Sequence, residues 1–285
     1  MSFETEPDAQ ARVDSQRALR RQAVLLTTLA IVCVAIEIPF IFIFNADHSP
    51  ALHRIALVLV LSFVLASMVP LGLRLCAQIG FPGAPWIAAR LAGEAPPFPL
   101  LGVVRSAAQY ALGAAAIGAA LLAGVMLPVM FMAHSGQIDM PQLPEFNTGP
   151  GGIALAGIPV ALAAGISEEI EFRLALFAIL AASASLVASG KIDPPSRRTV
   201  WIATIAQGYA FGLIHLLPNA GPLQGRPLML LAGGFLMPQT WEGVVFGRLY
   251  LSKGLEAAIL AHAMMDLMLF FLAMIGMIGS SLSPA

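Results

Sequence analysis

The residues best suited to chemistry are three glutamates and an arginine inside a long apolar run, 152–187. Charged groups are rare in apolar helices and usually face a cavity or a partner. On a helix Glu169 and Arg173 are four residues apart and can pair. Glu168 points about 100° away from Glu169. We therefore expect a structural pair, Glu169 with Arg173, and a working carboxylate, Glu168.

Three more ionisable residues lie in later apolar runs. His215 follows Phe211 by four residues, so the ring of Phe211 can pack beside its imidazole. His262 and Asp266 are also four residues apart and share a helix face. With Glu168 they could activate a water for peptide hydrolysis, bind a metal that activates water, or relay protons in a transporter.

The composition indicates an integral membrane protein. The 285 residues are 58% hydrophobic and only 11% charged, against roughly 25% charged residues in soluble domains. A net charge of −1 gives no reason to expect a nucleic-acid partner. Cys33 and Cys76 lie in or beside different apolar runs, so we expect neither a disulfide nor a metal site from them.

The predicted fold is all-α, a polytopic bundle of seven or eight transmembrane helices around a polar cavity. A short interfacial helix is expected at 86–91, and the second span is expected to bend or end near Pro70. The run 151–189 is too long for one untilted span, so it either projects or begins with a re-entrant piece. The predicted spans are 23–44, 55–73, 101–133, 151–189, 199–217, 228–247 and 255–278.

Basic residues set the predicted orientation. Residues 1–21 form a basic tail, which places the N-terminus in the cytoplasm, and the other Lys and Arg clusters fall on the same side. We divide the chain into this tail, N-terminal transmembrane helices at 22–149 and a catalytic core at 150–280. The predicted location is a bacterial inner membrane. Oligomeric state is left open.

The polar motifs together resemble those of a known family. Glu-Glu-x-x-x-Arg at 168–173, Phe-x-x-x-His at 211–215 and His-x-x-x-Asp at 262–266 occur in that order on separate predicted helices. They are similar to the signature of the CPBP intramembrane proteases, which include the Ras-converting CAAX endopeptidase and bacteriocin-processing and self-immunity proteins. The segment 241–247 is also similar to the family's Gly-x-x-x-Gly helix. The resemblance covers roughly residues 150–275.

The resemblance implies a role for each matching residue. Glu168 would activate water, His215 would hold that water, and His262 with Asp266 would stabilise the oxyanion. Arg173 would orient Glu169. The CAAX endopeptidase has Asn at the position of Asp266, and Asp donates a hydrogen bond only when protonated. Asp266 is therefore also a candidate to orient His262 or to help bind a metal. If a metal such as Zn²⁺ is present, its expected ligands are Glu168, His215 and His262.

The expected activity is intramembrane cleavage of a peptide or membrane-protein substrate, with lipid as the surrounding partner. A prenylated CAAX tail is implied only by the eukaryotic relative. The alternatives are a non-catalytic immunity or scaffolding protein and, less favoured because no inverted repeat is visible, a proton-coupled transporter. The roles of Glu171 and Glu242 are left open; Glu242 either lines the cavity or pairs with Arg226 or Arg248.

One geometric condition must hold for the enzyme interpretation. His262 lies about eight residues from the cytoplasmic end of its predicted span and His215 about sixteen, which at ~1.5 Å per residue puts them at different depths. Glu168, His215 and His262 can meet only if helices tilt or project, and we predict that the fourth and fifth helices project into the cytoplasm.

Overall fold

The computed structural model describes residues 6–44, 51–137, 150–219 and 236–281, and every regular element in these ranges is helical. The all-α class is confirmed for this part of the chain. The helices are α1 (Glu6–Phe44), α2 (Ala51–Ile79), α3 (Pro85–Ala92), α4 (Leu100–His134), α5 (Pro150–Glu169), a π-helix (Ile170–Leu176), α6 (Phe177–Ser189), α7 (Arg197–Asn219), α8 (Met237–Lys253) and α9 (Leu255–Ser281).

Six helical stretches in the described ranges are long and apolar enough to cross a membrane. They lie in α1, α2, α4, the continuous run from α5 to α6, α7 and α9. The chain is therefore an integral membrane protein. Helix α8 has 17 residues, and the span predicted at 228–247 begins outside the described residues.

Several predicted boundaries differ from the structure. Helix α2 continues through Pro70 to Ile79, and α1 already begins at Glu6 within the predicted tail. The run 151–189 is one continuous helical rod and not a re-entrant piece followed by a span. The predicted short helix is present as α3, and its place at the membrane interface stays a prediction. The loops predicted to be external, 45–53, 134–150 and 218–227, lie mostly outside the described residues.

Small residues bring α7 and α8 into backbone contact. A Cβ added to Gly243 would lie 2.6 Å from the Cα of Gly208, and one added to Gly208 would lie 2.9 Å from the carbonyl oxygen of Thr240. No larger side chain fits such an approach, which is the usual reason for small residues between membrane helices. The Gly243-x-x-x-Gly247 segment is thus a packing surface, and it holds α7 against α8.

The π-helix rests directly on α2. A Cβ on Gly72 would lie 2.5 Å from the carbonyl oxygen of Leu174, so only glycine allows this contact. Cys76 lies one turn later on α2, where its thiol is 3.0 Å from the hydroxyl of Tyr250. Because single π-turns often occur at functional sites, the segment that carries Arg173 is of particular interest.

The turn between α8 and α9 packs on the loop before α3. The amide of Leu255 donates to the carbonyl of Gly83 at 2.9 Å, and the side-chain amide of Gln22 on α1 donates to the carbonyl of Ala84 at 2.6 Å. These bonds tie the middle of α1 to the starts of α3 and α9 at one end of the bundle. We call it the Gly83 end.

Candidate active site

A cavity of about 340 Å³ lies among α5, α7, α8 and α9. Its wall combines ionisable side chains with apolar ones, an arrangement typical of sites that bind and orient a ligand. Four of the six predicted site residues line it. The lining residues are Val160, Glu168, His215, Gln239, Glu242, His262, Met265, Asp266, Leu269 and Phe270.

Glu168 stands between the two histidines. Its Oε2 atom lies 3.7 Å from Nε2 of His215 and 3.7 Å from Nε2 of His262. These separations are too long for direct hydrogen bonds, and polar groups at such a distance commonly share a water. Glu168 and His215 are 26% and 30% exposed, whereas His262 is almost fully buried. The three side chains that the enzyme interpretation requires to meet therefore do meet.

Each of the two imidazoles is oriented through Nδ1, the ring nitrogen that does not face Glu168. Nδ1 of His215 lies 2.8 Å from the carbonyl oxygen of Phe211, and Nδ1 of His262 lies 2.8 Å from Oε1 of Glu169. A carbonyl or carboxylate oxygen can only accept, so each Nδ1–H donates. This assignment directs both Nε2 atoms to Glu168, as second-layer hydrogen bonds do for histidines in enzyme sites.

Glu169 links His262 to Arg173. Its Oε2 atom lies 3.0 Å from Nε of Arg173, which confirms the predicted pair, and both side chains are fully buried. The guanidinium of Arg173 also lies 4.7 Å from the ring centre of Phe211. A buried carboxylate between a cation and an imidazole fixes both partners, because each would otherwise be an unpaired polar group in an apolar interior.

Asp266 approaches His262 from the cavity. Its Oδ2 atom lies 3.6 Å from Nε2 of His262, on the same side as Glu168. Glu169 and not Asp266 contacts Nδ1 of His262, so the candidate role of Asp266 as the orienting group falls to Glu169. Asp266 instead lines the cavity.

Side-chain direction narrows the difference in depth between the histidines. His215 folds back one turn along α7, and its ring packs 4.5 Å from that of Phe211. The ring of Phe211 also meets that of His262 at 5.8 Å. Side chains on a helix lean toward its N-terminus, so His215 reaches one turn below its own backbone. Whether α6 and α7 project from the membrane stays a prediction.

Sequence reasoning left Glu242 open between two roles and did not single out Gln239. Glu242 lines the cavity and is 5% exposed, while Arg248, one of its predicted partners, stacks on Trp201. Arg226, the other, lies outside the described residues. Gln239 lies three residues before Glu242, so the two share a face of α8. This spacing is the sequence signal that could have identified Gln239 as a lining residue. Glu171 is not among the lining residues.

The donor atoms do not form a metal site in the described chain. No group of three or more His, Cys, Asp or Glu side chains there is arranged to hold a metal ion. The expectation that Glu168, His215 and His262 bind Zn²⁺ stays a prediction. The carboxylate and the two Nε2 atoms can hold a water through hydrogen bonds instead.

Comparison with known proteins gives one match. Residues 150–268 match the family model described as type II CAAX prenyl endopeptidase Rce1-like. The matched range contains all three motifs and every residue of the cavity wall except Leu269 and Phe270. No curated protein and no protein of solved structure matches the chain.

Proposed function

We propose, from the premise that residues 150–268 carry a domain of the Rce1-like type II CAAX prenyl endopeptidase family, that the protein is an intramembrane endopeptidase of the CPBP type. The observation that carries the proposal is the convergence of Glu168 with Nε2 of two histidines, each at 3.7 Å. A carboxylate and two oriented imidazoles beside a cavity are what peptide hydrolysis by water needs.

In this mechanism the water lies between Glu168 and His215. Each accepts one hydrogen bond from it, which leaves a lone pair of the water oxygen free for the substrate carbonyl carbon. As the C–O bond forms, Glu168 takes a proton. When the C–N bond breaks, the protonated Glu168 gives that proton to the leaving nitrogen. The balance is one water consumed, with a carboxylic acid and an amine formed.

His262 and Asp266 face the developing oxyanion. His262 already donates its Nδ1–H to Glu169, so it donates from Nε2 only as an imidazolium. Asp266 donates only as the acid. Donors placed where charge develops typically contribute about 10²- to 10³-fold to the rate.

The finer features follow as proposals. The bundle has seven or eight spans, the N-terminus is cytoplasmic, and the membrane is a bacterial inner membrane. The substrate is a peptide or a membrane-protein segment surrounded by lipid. In one variant of this proposal the protein is a metalloprotease, with Zn²⁺ bound by Glu168, His215 and His262. Metal analysis of the purified protein tests that variant. No step described above uses a metal.

A test compares the wild type with Glu168→Gln after reconstitution into liposomes. Gln keeps the shape but cannot take the proton, so cleavage of peptide substrates should fall about 100- to 10,000-fold. Product masses from a library of membrane-associated peptides give the readout. Glu94→Gln, in an exposed loop at the far end of α3, is the matched control and should cleave like the wild type.

Equal cleavage by Glu168→Gln and the wild type would contradict the proposal. Cleavage by neither, with an unchanged cellular function of the double variant Glu168→Gln, His215→Ala, would favour an immunity or scaffolding protein. Transmembrane flux of a solute that depends on Glu168 would favour a transporter.

A further inference from the structure

Glu242 is a buried carboxylate that takes no part in the steps of hydrolysis. It is 5% exposed, lines the cavity, and lies on α8 one turn before Phe246, whose ring stacks on that of His262 at 5.4 Å. A Cβ added to Gly118 on α4 would lie 3.6 Å from its Oε1 atom. Glu242 therefore faces the interior of the bundle, close to the catalytic groups.

The carboxylate of Glu242 has no partner among the described residues. Two other carboxylates show how such a group is usually satisfied. Glu169 pairs with Arg173, and Glu256, partly buried at the Gly83 end, accepts a hydrogen bond from the amide of Ile87 at 2.7 Å. Within the described ranges, no side chain or amide forms a hydrogen bond or an ion pair with Glu242. A buried, unpaired carboxylate is costly, so one that faces a cavity is suited to bind a positively charged ligand.

The cavity wall also has an excess of negative charge. Of its ten lining residues, three are acids, Glu168, Glu242 and Asp266, and none is Lys or Arg. In the mechanism proposed above, His262 is an imidazolium and Asp266 is the neutral acid. With Glu168 and Glu242 ionised, two negative charges against one positive charge leave one negative charge uncompensated. Because charges interact strongly in a space that holds little water, the cavity favours a cation over an anion.

The apolar part of the wall suits a long basic side chain. Val160, Met265 and Leu269 line the same cavity as the carboxylate. Lys and Arg bury their hydrocarbon stems against apolar groups while the charged end reaches a polar partner. Gln239, one turn before Glu242, adds an amide oxygen that can accept from an ammonium or a guanidinium.

We propose that Glu242 binds a lysine or arginine side chain of the peptide substrate and so makes the enzyme specific for a basic residue near the cleaved bond. This inference rests on the proposed function, because it names a feature of the same substrate. Since one helical turn separates Glu242 from the residue that stacks on His262, the basic residue lies within about three residues of the cleaved bond. Glu242 acts in binding and exchanges no proton with the substrate.

Matched peptides test the specificity. Membrane-associated peptides carry Lys, Arg, norleucine or Glu in turn at each of three positions on either side of the cleaved bond, and kcat/KM is measured in liposomes. Norleucine keeps the apolar stem without the charge. We expect Lys or Arg at one position to raise kcat/KM at least about tenfold over norleucine, as a hydrogen bond between charged groups does, and Glu to lower it. Glu242→Gln should lose this preference through KM, and the exposed control Glu94→Gln should keep it.

Binding to the inactive Glu168→Gln protein separates this proposal from the proposed function. A ligand that binds the folded state raises the melting temperature. In detergent, the Lys peptides should raise that of Glu168→Gln more than the norleucine peptides do. In the double variant Glu168→Gln, Glu242→Gln the two rises should be equal. Without peptide, Glu242→Gln should melt at or above the wild type, because it removes an unpaired buried charge.

Equal kcat/KM for Lys and norleucine peptides overturns the proposal, and so does a preference for Lys that survives in Glu242→Gln. A melting temperature of Glu242→Gln below that of the wild type would show that the carboxylate already has a partner within the protein, such as Arg226, and would overturn it as well. If the wild type cleaves nothing, the proposed function fails and the peptide-induced melting shifts decide this inference by themselves. Equal shifts with Lys and norleucine peptides would then overturn it.

Discussion

Glu169 is the residue on which the geometry of the site depends most. It does not itself line the cavity, yet it holds His262 at 2.8 Å through one carboxylate oxygen and Arg173 at 3.0 Å through the other. Glu168, one residue earlier, faces the water. Adjacent carboxylates thus have different tasks, because a helix turns them about 100° apart.

Replacing Glu169 by Gln should therefore harm stability more than replacing Glu168. Gln can still accept from His262 but leaves the buried Arg173 without a counter-charge, and breaking a buried ion pair costs about 3–5 kcal/mol. We expect a clear fall in the melting temperature in detergent, with cleavage lost. Glu168→Gln, at a partly exposed position, should melt close to the wild type.

The double variant Glu169→Gln, Arg173→Met separates folding from chemistry. It removes both charges, so much of the stability should return, but His262 still lacks its carboxylate and cleavage should remain low. If Glu169→Gln melts like the wild type, or the double variant recovers full activity, Glu169 does not have the positioning role described here.

The π-helix is the element that joins the two halves of the α5–α6 rod. It begins directly after Glu169 and contains Arg173, and α2 supports it from behind at Leu174. The support comes from outside the matched range 150–268, so the N-terminal helices contribute to the shape of the site.

Gly72→Ala tests this support. Its added methyl group would overlap the carbonyl of Leu174, so α2 must move away from the π-helix, at a typical cost of about 1–3 kcal/mol. We expect lower thermal stability together with slower cleavage. Gly113→Ala on α4 is the matched control, because nothing lies within 4 Å of its added Cβ.

The control should be neutral or slightly stabilising, since Ala is favoured over Gly in a helix by roughly 0.5–1 kcal/mol. Equal effects at Gly72 and Gly113 would show that the contact with Leu174 is unimportant. Lower stability with an unchanged rate per folded molecule would place Gly72 in folding alone.

At the scale of the whole molecule, the sequence predicts the parts of the site that depend on helix periodicity. The pairing of Glu169 with Arg173 and the shared face of His262 and Asp266 follow from spacings of four residues, and the structure has both contacts. The apolar runs likewise predict membrane helices, because burial in lipid demands them.

Contacts between helices could not be predicted in this way. The hydrogen bond from His262 to Glu169 depends on how α9 is rotated against α5. In the same way, the rotation of α8 about its axis decides whether Glu242 faces the cavity. The mismatch in depth arose from counting backbone positions, and the backward fold of His215 onto Phe211 reduces it by about one turn. The π-helix has no recognised pattern in this sequence.

The central claim is that Glu168 and His215, which come from separate helices, act on one water. A double-mutant cycle of cleavage rates tests it, with the wild type, Glu168→Gln, His215→Ala and the double variant measured at saturating substrate in the same liposomes. Residues that act as one unit are strongly non-additive. The account predicts that the double variant cleaves about as slowly as Glu168→Gln alone. Rate losses that multiply, so that the double variant is slower by the product of the two single effects, would contradict it.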